Sequence, residues 1–137
     1  MNYIQPDVLK SILANHNTIS DERDYYAVWE QQRGNQFWGD GGYYCIIQPG
    51  IRNHYAGPDY IHAVIQYPNG EILRGDVEIH TSVSDWYRHE HHINRHYENV
   101  ILHVITSGKV LPVFTGQTSP IPTIKLGNTI LYSPARE

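Results

Sequence analysis

Residues 68–80 read PNGEILRGDVEIH, and the fold turns on how this stretch is divided. Asn69-Gly70 is the strongest short signal for a β-hairpin, because both central residues of a type I′ turn need positive φ. As a two-residue loop it pairs Pro68 with Glu71, Ile65 with Arg74, Ile61 with Glu78 and Asp59 with His80. Past the turn, Asp76, Glu78 and His80 alternate with Val77, Ile79 and Thr81. A period of two sends the polar set to one face and the apolar set to the other, which is built for a core. Asp59 then shares the polar face, opposite His80 and diagonal to Glu78, with diagonal backbones roughly 7–8 Å apart. Two carboxylates at that spacing can converge on one ion. The ordinary alternative is the solvated face of a half-exposed sheet.

Working outward, GYYCIIQPG (residues 42–50) reads as a strand ended by Pro49-Gly50. NQFWGDGG (35–42) reads as a loop by its glycines. A helix is predicted over 21–33, capped by Ser20 or Asp21, with Tyr25, Val28, Trp29 and Gln32 on one stripe. A shorter helix near Pro6 would carry Ile4, Val8, Leu9, Ile12 and Leu13. Ser82 and Asp85 have capping-box spacing and start a helix through DWYRHEHH, which Trp86 anchors to the sheet. VILHVI (Val100–Ile105) is a buried central strand. VLPVF, TIKL and TILYS form a β-rich tail of edge strands or a small flap. The expectation is one domain over 1–137, of α/β (α+β) class, with a mixed sheet.

The chain has 137 residues, 40% apolar and 18% charged, a globular composition. A net charge of −4 gives no general electrostatic attraction to nucleic acid. The lone Cys45 excludes an internal disulfide and a cysteine-rich zinc site, and suits a reducing compartment. No apolar run is long enough to span a membrane, and MNYIQPDVLK lacks a signal-peptide layout. A cytoplasmic protein with no membrane association is expected. Nine histidines and eleven tyrosines are many for this length.

GPDY (Gly57–Tyr60), followed by Glu78-Ile79-His80 at the far end of the hairpin, resembles the PD-(D/E)XK nuclease superfamily. The order helix, three strands, helix, strand is similar to that superfamily's αβββαβ, restriction-endonuclease-like core. There an aspartate begins the second core strand and an acid-x-lysine triplet ends the third. Asp59 matches the first, Glu78 matches the acid, and His80 stands where lysine is expected. A second resemblance covers about 25–105: IIQPG, HYAGPDY, GDVEIH, SDWYRHEHH and ENVILHVI look like the blocks of an uncharacterised bacterial family. Its members are typically longer, so the chain resembles their N-terminal core. Glu90 stands where that family's pattern has glycine.

The superfamily resemblance implies a metal-dependent nuclease, with DNA the favoured partner and a homodimer suited to cutting two strands. Asp59 and Glu78 are hard oxygen ligands for Mg²⁺ or Mn²⁺, and the Ile79 carbonyl could add a third. Such an ion lowers the pKa of a bound water and stabilises charge on a scissile phosphate. His80 could orient the water, act as general base or contact phosphate. Asp76 and Glu30 are accessory candidates. Arg52, Arg74, Arg88 and Arg95 are the cations best suited to phosphate.

HEHHINRH supports a different reading. Were the helix to continue, His89, His92 and His96 would share a face, and His92 with His96 has the i+4 spacing of zinc ligands. His103 is then a fourth ligand, a member of the first site, or a core histidine. His89 and His91 are also candidates for an active-site rim. Three functions follow: a Mg²⁺- or Mn²⁺-dependent nuclease, a binding module on the same fold without catalysis, and a histidine-rich Zn²⁺ hydrolase.

Overall fold

The computed structural model describes residues 25–116 and 120–126. The helix near Pro6, the Ser20/Asp21 cap and the TILYS strand lie outside them. The order is α1 (Tyr26–Glu30), β1 (Gln36–Gly39), β2 (Gly42–Gln48), β3 (Ile51–Arg52), β4 (Tyr60–Gln66), β5 (Ile72–His80), α2 (Ser84–Arg88), β6 (Val100–Ile105) and β7 (Thr123–Lys125). The class is α+β with a mixed seven-stranded sheet in the order β2-β1-β7-β6-β5-β4-β3. β2 also pairs with β4, so six strands close into a barrel and β3 extends from β4 outside the closure. β5, β6 and β7 run parallel, and the other ladders are antiparallel. No described helix is long and apolar enough to cross a membrane.

The interior follows from alternation. Phe37, Tyr44, Ile46, Ala63, Ile65, Val77, Ile79, Leu102, Val104 and Ile124 point inward, and α1 adds Val28 and Trp29. Each buried Val, Leu, Ile or Phe among them gives about 1.5–3 kcal/mol on leaving water. A second cluster of Trp86, Tyr97, Val100, Val113 and Ile121 covers part of the outer wall. Trp86 anchors its helix as expected, and its indole N–H donates to the Phe114 carbonyl.

Several local expectations change, and α1 ends at Glu30, short of the expected 33. NQFWGDGG is not a loop: Gln36–Gly39 is a strand, joined to β2 by the two-residue turn Asp40-Gly41. Gly41 and Gly42 have φ of 93° and 135°. The helix through DWYRHEHH stops at Arg88, because Glu90 turns left-handed at φ 61°. The Asp85 carboxylate accepts the Ser82 N–H, which is half of the capping box. TIKL is not an edge: β7 lies between β6 and β1 and closes the barrel.

The hairpin register also differs. Gly70 N–H donates to the Tyr67 carbonyl and Tyr67 N–H to the Glu71 carbonyl, so the loop is Pro68-Asn69-Gly70 with Gly70 at φ 92°. The ladder therefore pairs Ile65 with Leu73 and Val64 with Arg74, one residue from the expected register. Left there, Asp59 would face inward. A bulge follows between Tyr60 and Ala63, with His62 at φ 62°, and Tyr60 pairs with Val77. The two slips sum to two residues and restore the face. Asp59 falls opposite Glu78 rather than His80.

Closure rests on a narrow contact. Gly39 pairs with Ile124, and a Cβ there would lie 2.6 Å from the Thr123 carbonyl oxygen and 2.8 Å from Ile124 Cγ2. Gly39→Ala is expected to cost about 1–3 kcal/mol through overpacking against backbone, measured as a lowered urea midpoint.

Candidate active site

The site begins where β4 begins. Beyond Tyr60 the ladder is carried by side chains: Asp59 N–H donates to Glu78 Oε1 at 3.0 Å, and Ile79 N–H donates to Asp59 Oδ2 at 2.8 Å. Asp59 Oδ1 accepts the Tyr26 hydroxyl at 2.8 Å. Each carboxylate fixes the other's strand, and Tyr26 reaches in from α1. The Arg52 guanidinium lies 3.8 Å over the Tyr26 ring, and its buried Nε has no partner.

On the other side of Glu78 are imidazoles. His91 Nε2 is 3.0 Å from Glu78 Oε2 and hydrogen-bonds to it. His80 Nε2 is 3.2 Å from the same oxygen but lacks hydrogen-bond alignment. His80 Nδ1 meets His103 Nε2 at 2.8 Å, and His103 Nδ1 meets Thr123 Oγ1 at 3.2 Å. His91 stacks on Tyr97 with centroids 3.8 Å apart, and Trp86 borders both His91 and His103. His89 is exposed at the rim, its ring 5.1 Å from that of His80. A shallow groove of about 420 Å³ runs from it past Glu90, Ile93, Asn94, Arg95 and His96.

Charge follows from this packing. Burial and the neighbouring Glu78 charge push Asp59 up to about 7, against the pull of the Ile79 and Tyr26 hydrogen bonds. Burial also raises Glu78, but His80 and His91 outweigh it and hold its carboxyl at about 2. Burial, reinforced by His80, presses His103 down to about 3, so it is neutral at pH 7.

Asp59, Glu78, Ile79, His80, His91 and His103 thus come together, with His89 at the edge. Glu30 does not join them: it accepts the Tyr60 hydroxyl at 2.5 Å and is otherwise exposed. Asp76 is half-buried and takes a hydrogen bond from the His62 backbone at the bulge, and burial raises its pKa. His92 packs on Tyr87 and His96 sits in the turn begun by Asn94. The helical face of His89, His92 and His96 does not form, because the helix ends before it. Arg88 pairs with Asp85, and Arg74 is exposed on β5. Tyr26, Tyr97 and Thr123 were not foreseen. Tyr26 had a signal, being next to the Tyr25 placed on the helix stripe, while the other two depend on tertiary contacts.

Fold and site define a class: a mixed-sheet barrel with a buried carboxylate–imidazole cluster on its outer wall. The sequence profile of the family described as "Protein of unknown function (DUF2851)" matches residues 23–136, and the chain belongs to that family. The blocks quoted above from IIQPG to ENVILHVI fall within this span. No curated protein and no solved structure matches the chain.

Asp59 makes a prediction about pH. Its folded pKa lies above the ordinary carboxylate value, so the folded state holds a proton that the unfolded state releases near pH 4. The associated stability is complete below about pH 4 and is lost as pH rises to about 7. In EDTA, Asp59→Asn should therefore be more stable than wild type at pH 7.5, on the order of 1–3 kcal/mol. The difference should shrink toward pH 4, as read from urea unfolding at both pH values.

Proposed function

We propose that this protein is a metal-dependent phosphodiesterase of the PD-(D/E)XK kind, acting on nucleic acid with DNA favoured. The observation that carries the reading is the reciprocal pair: Asp59 precedes β4, Glu78-Ile79-His80 ends β5, and the two acids bind each other's strands. Along the run β2-β4-β5-β6 these are the second and third strands, the positions the resemblance assigns to the acids. The antiparallel β4–β5 pair and the parallel β5–β6 pair joined through α2 fit the αβββαβ core. Barrel closure by β1 and β7 adds to that core without disturbing the acid-bearing strands.

Donor chemistry supports Mg²⁺ or Mn²⁺. Each carboxylate oxygen that accepts one hydrogen bond keeps a second lone pair. The N–H and C=O of one residue point the same way in an extended strand, so the Ile79 carbonyl faces the side where Asp59 takes its N–H. Asp59, Glu78 and Ile79 would hold the ion, which supplies an activated water and charge neutralisation at the phosphate. The raised Asp59 pKa comes from burial and then from the neighbouring Glu78 charge, and a bound cation would offset both. His80, backed by His103 and Thr123, would receive a proton from an attacking water. Tyr26 positions Asp59, and Arg52 beside it gives a phosphate contact that the net charge of −4 does not. Arg95 and His96 line the groove that leads in from His89. A homodimer would suit cleavage of both strands of a duplex.

Incubation with plasmid, single-stranded DNA and RNA in Mg²⁺ or Mn²⁺ tests this. Cleavage should be abolished by EDTA and reduced at least ~100-fold by Asp59→Ala or Glu78→Gln. Tyr26→Phe, which removes only a positioning bond, should cost about 10-fold. Cleavage by Asp59→Ala at the wild-type rate, or none by wild type on any substrate, overturns the reading.

A further inference from the structure

We propose that His80, His89 and His91 form a binding site for a divalent transition-metal ion of the zinc type, open to solvent at His89. One nitrogen from each of the three rings lies within 4.8 Å of one from each of the others, and no other described residues form such a group. The inference goes beyond the reading above: it does not use Asp59, it touches Glu78 only as the hydrogen-bond partner of His91, and it makes His80 a ligand in place of the proton acceptor of that reading.

The second observation concerns what the rings lack. His80 and His91 are 0% and 6% exposed, yet each keeps one buried nitrogen with no hydrogen-bond partner, Nε2 of His80 and Nδ1 of His91. Their other nitrogens are anchored, His80 to His103 and through it to Thr123, and His91 to Glu78. This is the usual outer layer of a metal-bound imidazole, where the second nitrogen is held by a fixed partner that sets ring orientation and tautomer. With a hydrogen on His103 Nδ1 facing Thr123, His103 Nε2 accepts from His80 Nδ1–H, and Nε2 of His80 is left without a hydrogen-bond partner, 3.2 Å from Glu78 Oε2. Likewise, His91 donating Nε2–H to Glu78 leaves its Nδ1 bare. A cation bound between the two rings would give both nitrogens a partner.

Three imidazoles without a thiolate suit Zn²⁺, Co²⁺ or Ni²⁺ and are poor ligands for Mg²⁺. Three protein ligands with one at the surface leave a coordination position for water, as in catalytic rather than closed structural sites. Tyr97 and Trp86 fix the His91 ring, so that ligand is oriented before any ion arrives. The competing arrangement is a proton: His80 carrying hydrogens on both nitrogens beside an ionised Glu78, with no ion held.

The test strips the full chain with chelator and titrates it with Co²⁺ and with Zn²⁺, following the visible ligand-field absorption of Co²⁺ and the heat of binding of both. One ion per chain is expected, with affinity for Zn²⁺ reduced at least 10-fold in His89→Ala. That side chain is exposed, so the fold should survive, as circular dichroism would verify. His92→Ala should bind as wild type, and Asp59→Asn should keep this one ion even where the carboxylate pair of the wild type takes a second. Absence of stoichiometric binding, equal binding by His89→Ala, or equal loss in His92→Ala overturns the proposal. Failure of the nuclease reading looks different: cobalt still binds, and no nucleic acid is cut in Mg²⁺ or Mn²⁺.

Discussion

The bond from the Ile79 N–H to the Asp59 carboxylate holds the site in place, together with its reciprocal from the Asp59 N–H to Glu78. The main-chain ladder between β4 and β5 has ended there, and two strand ends would otherwise be left with open donors. A buried N–H without a partner is costly, so carboxylates substitute for the missing carbonyls. The substitution brings two acids together in a half-dry setting. Structure and reactivity therefore share the same oxygens.

The barrel makes that setting possible. Its interior holds the described apolar core and receives Val77 and Ile79 of β5, which leaves Glu78 and His80 on the outer wall. That wall is not left to solvent. α2 and the turns after it lay Trp86, Tyr97 and His91 over it, so both faces of the end of β5 are buried. Polar groups there must satisfy one another, which they do along the line Tyr26–Asp59–Glu78–His91 on one side and His80–His103–Thr123 on the other. Where that satisfaction fails, at His80 Nε2 and His91 Nδ1, the wall meets the rim marked by His89.

Much of the fold was legible. The period-two run at 76–81, the Asn-Gly hairpin, the buried VILHVI strand and the Trp86 anchor all follow from local rules. The strand at Gln36–Gly39 could have been read, since Asp40-Gly41 is as good a hairpin signal as Asn69-Gly70 once the aromatic flanks are counted. Barrel closure could not: β7 is three residues long, and its parallel pairing joins segments far apart in sequence. Glu78 and His80 were found because alternation along one strand fixes their shared face, whereas Asp59 was reached by counting through a two-residue loop and keeps that face only because the loop and bulge slips sum to two. His91 joins them only because Glu90 takes a left-handed turn that sequence patterns assign to glycine. A helical reading of HEHHINRH misses that turn and pairs the wrong histidines.

The bulge at His62 has a consequence for how this sequence can vary. The three-residue hairpin loop alone would aim Asp59 into the oily interior, and the extra residue at 62 turns it back out. Lineages that gain or lose one residue on either side of this hairpin must make a matching change on the same strand pair. Insertions and deletions between 59 and 78 should accordingly travel in compensating twos.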